Sequence, residues 1–236
     1  MAVISDLQKM KQNGRKIVGV VAWDYPIAQI ADYAGVDLVS VGDSVGVNLW
    51  GQAPHEISID EMLIVCRAVR RGVKRAVVSV DLPAHEQNAE SALRLKDCGA
   101  DMVKLLGSPD LVRAVVRAGI PVFAEIHGGK DGPAMLVDHA RRLQDAGASA
   151  LDFRHSGPVA GEAVARAVSI PVIGGLGGGP WLDGRLRMVH AAIGYGFSNL
   201  GKATDQYANV AQLTHDALAA YAEDVRAARQ IKGQRA

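Results

Sequence analysis

Ala34-Gly35-Val36-Asp37-Leu38-Val39 reads AGVDLV, and the same phrase returns as CGADMV at 98–103, AGIPVF at 118–123 and AGASAL at 146–151. Glycine in each copy is placed to end a helix in the left-handed conformation, and the apolar run behind it then enters a sheet. Outward from these joints the chain alternates. Amphipathic stretches at Pro26–Ala34, Ile59–Arg71, Asn88–Cys98, Pro109–Ala118, Pro133–Ala146 and Val159–Val168 read as helices. Between them, Val18–Val21, Asp37–Val41, Ala76–Val80, Met102–Leu105, Val122–Ile126, Ala150–Phe153 and Val172–Gly174 read as strands. These runs are apolar at nearly every position, as strands buried on both faces are. Strands alternating with helices predict a parallel sheet, and the count points to a (β/α)8 barrel. An eighth unit at Leu186–His190 reads equally as a short strand or a helix start. A doubly wound open sheet is the competing fold.

With 236 residues the chain fits one barrel domain over 1–236. Lys and Arg total 26 against 25 Asp and Glu, a net charge of +1. That balance carries no electrostatic signature of nucleic acid or an anionic membrane as a partner. No run of about 18 apolar residues spans a bilayer, and MAVISDLQKMKQNGRK has no signal-peptide core, so a cytoplasmic location is expected. Cys66 and Cys98 form no CxxC and read as reduced thiols. The tail from Asp224 to Ala236 reads as a fraying last helix turn.

In this fold chemistry sits where strands end. Strand two runs into Gly42-Asp43-Ser44, and strand three into Asp81-Leu82-Pro83. Strand four carries Lys104. Strand five carries Glu125 and runs into His127, and strand six carries Asp152 and ends near Arg154 and His155. Asp43 and Asp81 offer hard oxygen ligands of the kind Mg2+ takes alongside waters and substrate oxygens. A metal so held can polarise a 2-oxo acid and stabilise its enolate, with Lys104 neutralising the substrate carboxylate. The plain alternative is that each aspartate caps the following helix and the lysine pairs with one of them.

Taken together, VVAWDYP at 20–26, Val41-Gly42-Asp43-Ser44-Val45-Gly46, Ile59-Asp60-Glu61-Met62, Val80-Asp81-Leu82-Pro83, Val103-Lys104-Leu105, Ala118-Gly119-Ile120-Pro121-Val122 and Ser169-Ile170-Pro171-Val172-Ile173-Gly174 resemble the ketopantoate hydroxymethyltransferase family over essentially the whole chain. The resemblance implies a TIM barrel of the phosphoenolpyruvate/pyruvate superfamily. It implies transfer of a one-carbon unit from 5,10-methylenetetrahydrofolate to 3-methyl-2-oxobutanoate, for pantothenate synthesis. It implies Mg2+ on Asp43 and Asp81, substrate contacts from Ser44 and Lys104, and a homo-oligomer.

The chain also departs from that pattern. The family's VKLEGG is here Val103-Lys104-Leu105-Leu106-Gly107-Ser108, so Leu106 stands where a carboxylate is usual. The family's histidine on strand five is matched by Glu125. Its general base, a glutamate ending strand six, is matched within Leu151-Asp152-Phe153-Arg154, followed by His155. Arginine stays protonated and cannot be that base. One reading moves the role to Glu125, His155 or Asp152. A second has Arg154 bind another anionic group, which makes the protein a C–C lyase, aldolase or decarboxylase on a 2-oxo diacid. A third leaves a non-catalytic paralogue that binds a ligand or partner.

Gly174–Pro180 (GGLGGGP) reads as a wide turn, a phosphate cradle or a lid. Trp23, Trp50 and Trp181 fall near strand-end loops and read as rim packing or as stacking surfaces. No HxH or HExxH spacing supports zinc at His127, His155 or His190.

Overall fold

The computed structural model describes residues 3–53, 55–129, 131–203 and 205–233, and holds the predicted barrel. Eight parallel strands close in chain order: β1 (Ile17–Val21), β2 (Leu38–Val41), β3 (Val77–Asp81), β4 (Met102–Leu106), β5 (Val122–His127), β6 (Ala150–Arg154), β7 (Val172–Gly174) and β8 (Gly184–Met188). The ring closes where Ile17 N–H donates to the Asp183 carbonyl at 2.8 Å. Helix α1 (Ile4–Gln12) precedes β1, and α2 (Tyr25–Ala34) follows it. The short α3 (Val45–Trp50) and long α4 (Ile59–Gly72) lie between β2 and β3. Helices α5 (Ala89–Asp97), α6 (Pro109–Arg117), α7 (Pro133–Asp145) and α8 (Gly157–Ala167) follow β3 to β6.

The chain divides into two compact units, Met1–Arg187 and Met188–Ala236. The second unit carries α9 (Val189–Ala192) and α10 (Val210–Arg226). None of the helices among the described residues is long and apolar enough to cross a membrane.

Local chemistry fixes the helix boundaries. Gly35 ends α2 with φ 89°. Asp24, Ser58, Asn88 and Ser108 each accept a backbone N–H at a helix start, and Ser58 with Glu61 forms a capping box. The eighth unit proves to be both things its sequence suggested: β8 ends at Met188 and a short helix begins at Val189.

Ile17, Leu38, Val77, Met102, Phe123, Ala150 and Ile173 form an apolar layer at the lower end of the barrel, sealed from below by Leu7 and Met10 of α1. Lys11 anchors this helix by donating to Asp183 Oδ2 and the Ala165 carbonyl, each at 2.8 Å. Side chains on a strand return to the same face every second residue. Two steps above the floor the inner face is therefore polar: Ser40, Ser79, Lys104, Glu125 and Asp152, all buried. Ser79 Oγ donates to Ser40 Oγ at 2.8 Å within that layer. Another two steps bring Gly42, Asp81, Leu106, His127 and Arg154 to the upper rim.

Candidate active site

Lys104 is the hub of the upper barrel. Its Nζ lies 2.9 Å from Asp81 Oδ2, 3.2 Å from Asp152 Oδ2 and 3.5 Å from Glu125 Oε2. Register places these groups side by side: Asp81 is the Cα partner of Lys104, and Glu125 that of Asp152. Burial works against the Lys104 charge, but the three carboxylates more than offset it and hold the ammonium protonated.

Asp81 is poorly satisfied by comparison. Oδ2 faces Lys104 and accepts the Asp43 backbone N–H at 3.4 Å. Oδ1 is buried and has no hydrogen-bond partner among the described residues. The Asp81 pKa is pushed up to about 7: burial, with the charges of Asp43 and Glu125, raises it, and Lys104 offsets this only in part. Neither Asp43 nor Asp81 caps a helix: Ser44 is the N-cap of α3, and Asn88 that of α5. Gly42 is closely approached: a Cβ there would sit 3.0 Å from Val21 Cγ1, 3.1 Å from Ser44 Oγ and 3.7 Å from Asp81 Oδ2, so only a glycine lets the Ser44 hydroxyl and the Asp81 carboxylate come this near the backbone.

Glu125 joins the two sides of the cluster. Its Oε2 accepts from Arg154 at 3.1 Å, and its Oε1 lies 2.5 Å from His127 Nε2. Burial raises its pKa, but Lys104, Arg154 and His127 together bring it below the usual glutamate value. Arg154 is half-exposed at the rim, and Leu106, at the end of β4, is 46% exposed. His155 sits just beyond β6 with φ 50°, and its ring centre is 6.1 Å from that of His127. The β5 and β6 ends are packed tightly: Gly128 donates to the Arg154 carbonyl at 2.7 Å, and any side chain at Gly128 would strike the His155 carbonyl.

The barrel thus brings together Asp43, Asp81, Lys104 and Glu125, with Ser44 beside Gly42 and Arg154 and His155 along the β6 side. Strand five extends one residue beyond its expected end at Ile126, which places His127 on the inner face. The pairing of Glu125 with His127 is not foreseen in the motifs, although the spacing E-x-H on a strand puts both side chains on one face. The glycine-rich stretch folds into a 3-10 turn over Leu176–Gly178 against α8, where Gly161 leaves room for the Gly178 carbonyl.

The four carboxyl groups of Asp43, Asp81, Glu125 and Asp152 outnumber the two cations Lys104 and Arg154, and this crowding is part of what raises the Asp81 pKa. An unpartnered buried carboxyl oxygen and this surplus of carboxyl groups fit a hard divalent cation held by one or two carboxylates and otherwise by water and substrate. They do not make an all-protein cage: among the described residues no group of three His, Cys, Asp or Glu side chains could hold a metal ion.

Residues 2–230 match the family described as ketopantoate hydroxymethyltransferase. The chain is 34% identical to a 3-methyl-2-oxobutanoate hydroxymethyltransferase of Bacillus licheniformis, with 96% of this chain and 91% of that protein covered. It is 32% identical to the enzyme of the same name from Staphylothermus marinus, over 94% and 91% of the two chains. Among solved structures it resembles a phosphonopyruvate hydrolase in complex with oxalate and Mg2+, with a TM-score of 0.67, 15% identity and 96% and 99% coverage. A 2,3-dimethylmalate lyase of the phosphoenolpyruvate mutase/isocitrate lyase superfamily gives a TM-score of 0.66, 15% identity and 96% and 99% coverage. At such identity these structures establish a shared barrel.

Proposed function

The chain belongs to the ketopantoate hydroxymethyltransferase family, and from that premise we propose that it enolises a small 2-oxo acid on a divalent cation and adds a one-carbon unit to it. The observation that supports this reading is the buried Asp81–Lys104 pair, in which Asp81 Oδ1 is left without a partner among the described residues.

Asp43 and Asp81 would hold the cation, Mg2+ by the chemistry of the donors. When bound, it supplies a Lewis acid for the keto oxygen. Lys104 and the Ser44 hydroxyl orient the substrate carboxylate, Lys104 as a fixed positive charge whose protonation the surrounding carboxylates guarantee. The closed apolar floor limits water below the reacting carbon, which strengthens every charge interaction above it. Glu125, Arg154 and His155 line the side on which a proton leaves the substrate. In the family's reaction the acid is 3-methyl-2-oxobutanoate and the one-carbon donor 5,10-methylenetetrahydrofolate.

Calorimetry with Mg2+ and a panel of 2-oxo acids tests this reading. Binding of the acid is expected to require the metal and to vanish in Asp81→Asn. Acid binding that is indifferent to the metal would overturn it.

A second reading is favoured by Arg154. Its guanidinium reaches Glu125 through one nitrogen and is otherwise half-exposed at the rim, where it could take a second substrate carboxylate. The protein would then act as a C–C lyase, aldolase or decarboxylase on a 2-oxo diacid. A third reading, a non-catalytic paralogue, is excluded by any turnover that Asp43→Asn abolishes.

A further inference from the structure

His127 and Glu125 form a carboxylate–imidazole pair at the upper end of β5, with Nε2 and Oε1 2.5 Å apart. Both side chains belong to a strand, two residues apart on one face, so the pair is held by the barrel and not by a loop.

Glu125 is badly suited to take a proton itself. Its Oε2 is engaged by Arg154 at 3.1 Å and Lys104 at 3.5 Å, and such a carboxylate is buried, ionised and weakly basic. It is well suited to fix an imidazole. An ionised carboxylate only accepts hydrogen bonds, so the His127 Nε2 carries the proton of this contact. The Nδ1 lone pair is then left open on a ring that is 50% exposed at the barrel rim. Arg154, the Cα partner of His127 across β5 and β6, cannot accept a proton. His155 is the other imidazole nearby, but among the described residues no carboxylate orients it.

We propose that His127 is the general base of this site and that Glu125 is its positioning residue. The inference rests on the enolate reading above. Nδ1 takes the proton from the carbon beside the substrate carbonyl. The C–H bond breaks, an N–H bond forms, and the electron pair passes into the enolate. The resulting imidazolium is stabilised by the Glu125 carboxylate and sheds its proton to solvent at the rim. The charged and titratable groups facing His127 are Glu125 on its own strand, Arg154 and His155 on the β6 side, and Lys104 on β4 acting through Glu125.

Hydrogen exchange decides the matter. The protein is mixed with Mg2+ and a panel of 2-oxo acids in deuterated water, and loss of the proton beside the carbonyl is followed by NMR against pH. His127→Gln is expected to slow exchange by about 100- to 10,000-fold and to lose the limb that rises with pH, while metal-dependent acid binding by calorimetry persists. His127→Ala is expected to regain exchange when imidazole is added, which a purely structural role would not allow. Glu125→Gln is expected to move the pH limb as well as lower the rate. Exchange in His127→Gln within about threefold of the parent, or no rescue by imidazole, overturns the proposal. So does a loss confined to His155→Gln. If the parent protein shows no exchange with any acid, the enolate reading itself fails, a result distinct from exchange that survives in His127→Gln alone.

Discussion

Lys104 and Asp81 are register partners on adjacent strands, and their Nζ and Oδ2 atoms are 2.9 Å apart in a buried cluster that also holds Asp152 and Glu125. Replacing the lysine with methionine takes the shared cation from three buried carboxyl groups, of which Glu125 keeps Arg154 and His127 as partners. Lys104→Met is expected to cost on the order of 3–5 kcal/mol in urea unfolding near neutral pH. The deficit should shrink as the carboxylates are protonated at low pH. A loss below 1 kcal/mol at every pH would show that Lys104 is not the charge that holds the cluster together.

Asp81 and Asp43 are not equivalent. Asp81 is buried with an unpartnered oxygen, whereas Asp43 is partly open to solvent. Asp81→Asn is expected to abolish Mg2+-dependent binding of 2-oxo acids, and Asp43→Asn to weaken it by tenfold or more. Titration calorimetry of both variants checks the order. Equal, unimpaired binding would remove the aspartates from the proposed cation site.

Arg154→Ala separates the two enzymatic readings. For a monoacid substrate, the ratio of kcat/KM values for monoacids and diacids should barely move. For a diacid substrate, loss of a paired guanidinium should lower the diacid value by about 1.5–3 kcal/mol, tenfold or more, and spare monoacids. Steady-state kinetics on matched acids reads the difference.

Asp32 offers a pH prediction remote from the site. Burial resists its ionisation, yet the backbone N–H groups of Ala76, Arg75 and Lys74 donate to it at 2.8, 2.9 and 3.0 Å and hold its pKa below the usual aspartate value. A depressed pKa in the folded state contributes stability above the unfolded value near 4, and that contribution disappears as pH falls through the folded value. Asp32→Asn is therefore expected to cost about 1–3 kcal/mol at pH 7, with the gap to the parent narrowing below about pH 4. A gap that is constant with pH would contradict the assignment.

Most of the barrel can be read from the helix-to-strand joints, because a glycine stop followed by an all-apolar run seldom arises except where a helix hands over to a strand buried on both faces. The eighth strand cannot, since Gly184–Met188 is only partly buried, and Arg185 and Arg187 interrupt its apolar signal. Asp43, Asp81 and Lys104 stand out because ionisable groups at strand ends are conspicuous against Val-rich runs. The partnership of Glu125 with His127 does not, because it depends on β5 running one residue past Ile126 and keeping the histidine on its inner face. The unpartnered oxygen of Asp81 is likewise a property of three-dimensional neighbours, and no motif encodes it.

The seal that Leu7 and Met10 make beneath the strands turns the barrel interior into a dead end. Whatever descends to Lys104 must withdraw along the route it came by, so a spent molecule blocks its successor until it departs. Two reactants sharing such a shaft must be loaded in a fixed order, the deeper one first. On the proposed reading Lys104 takes the smaller acid, so the bulkier one-carbon donor would be the last to arrive and the first to leave.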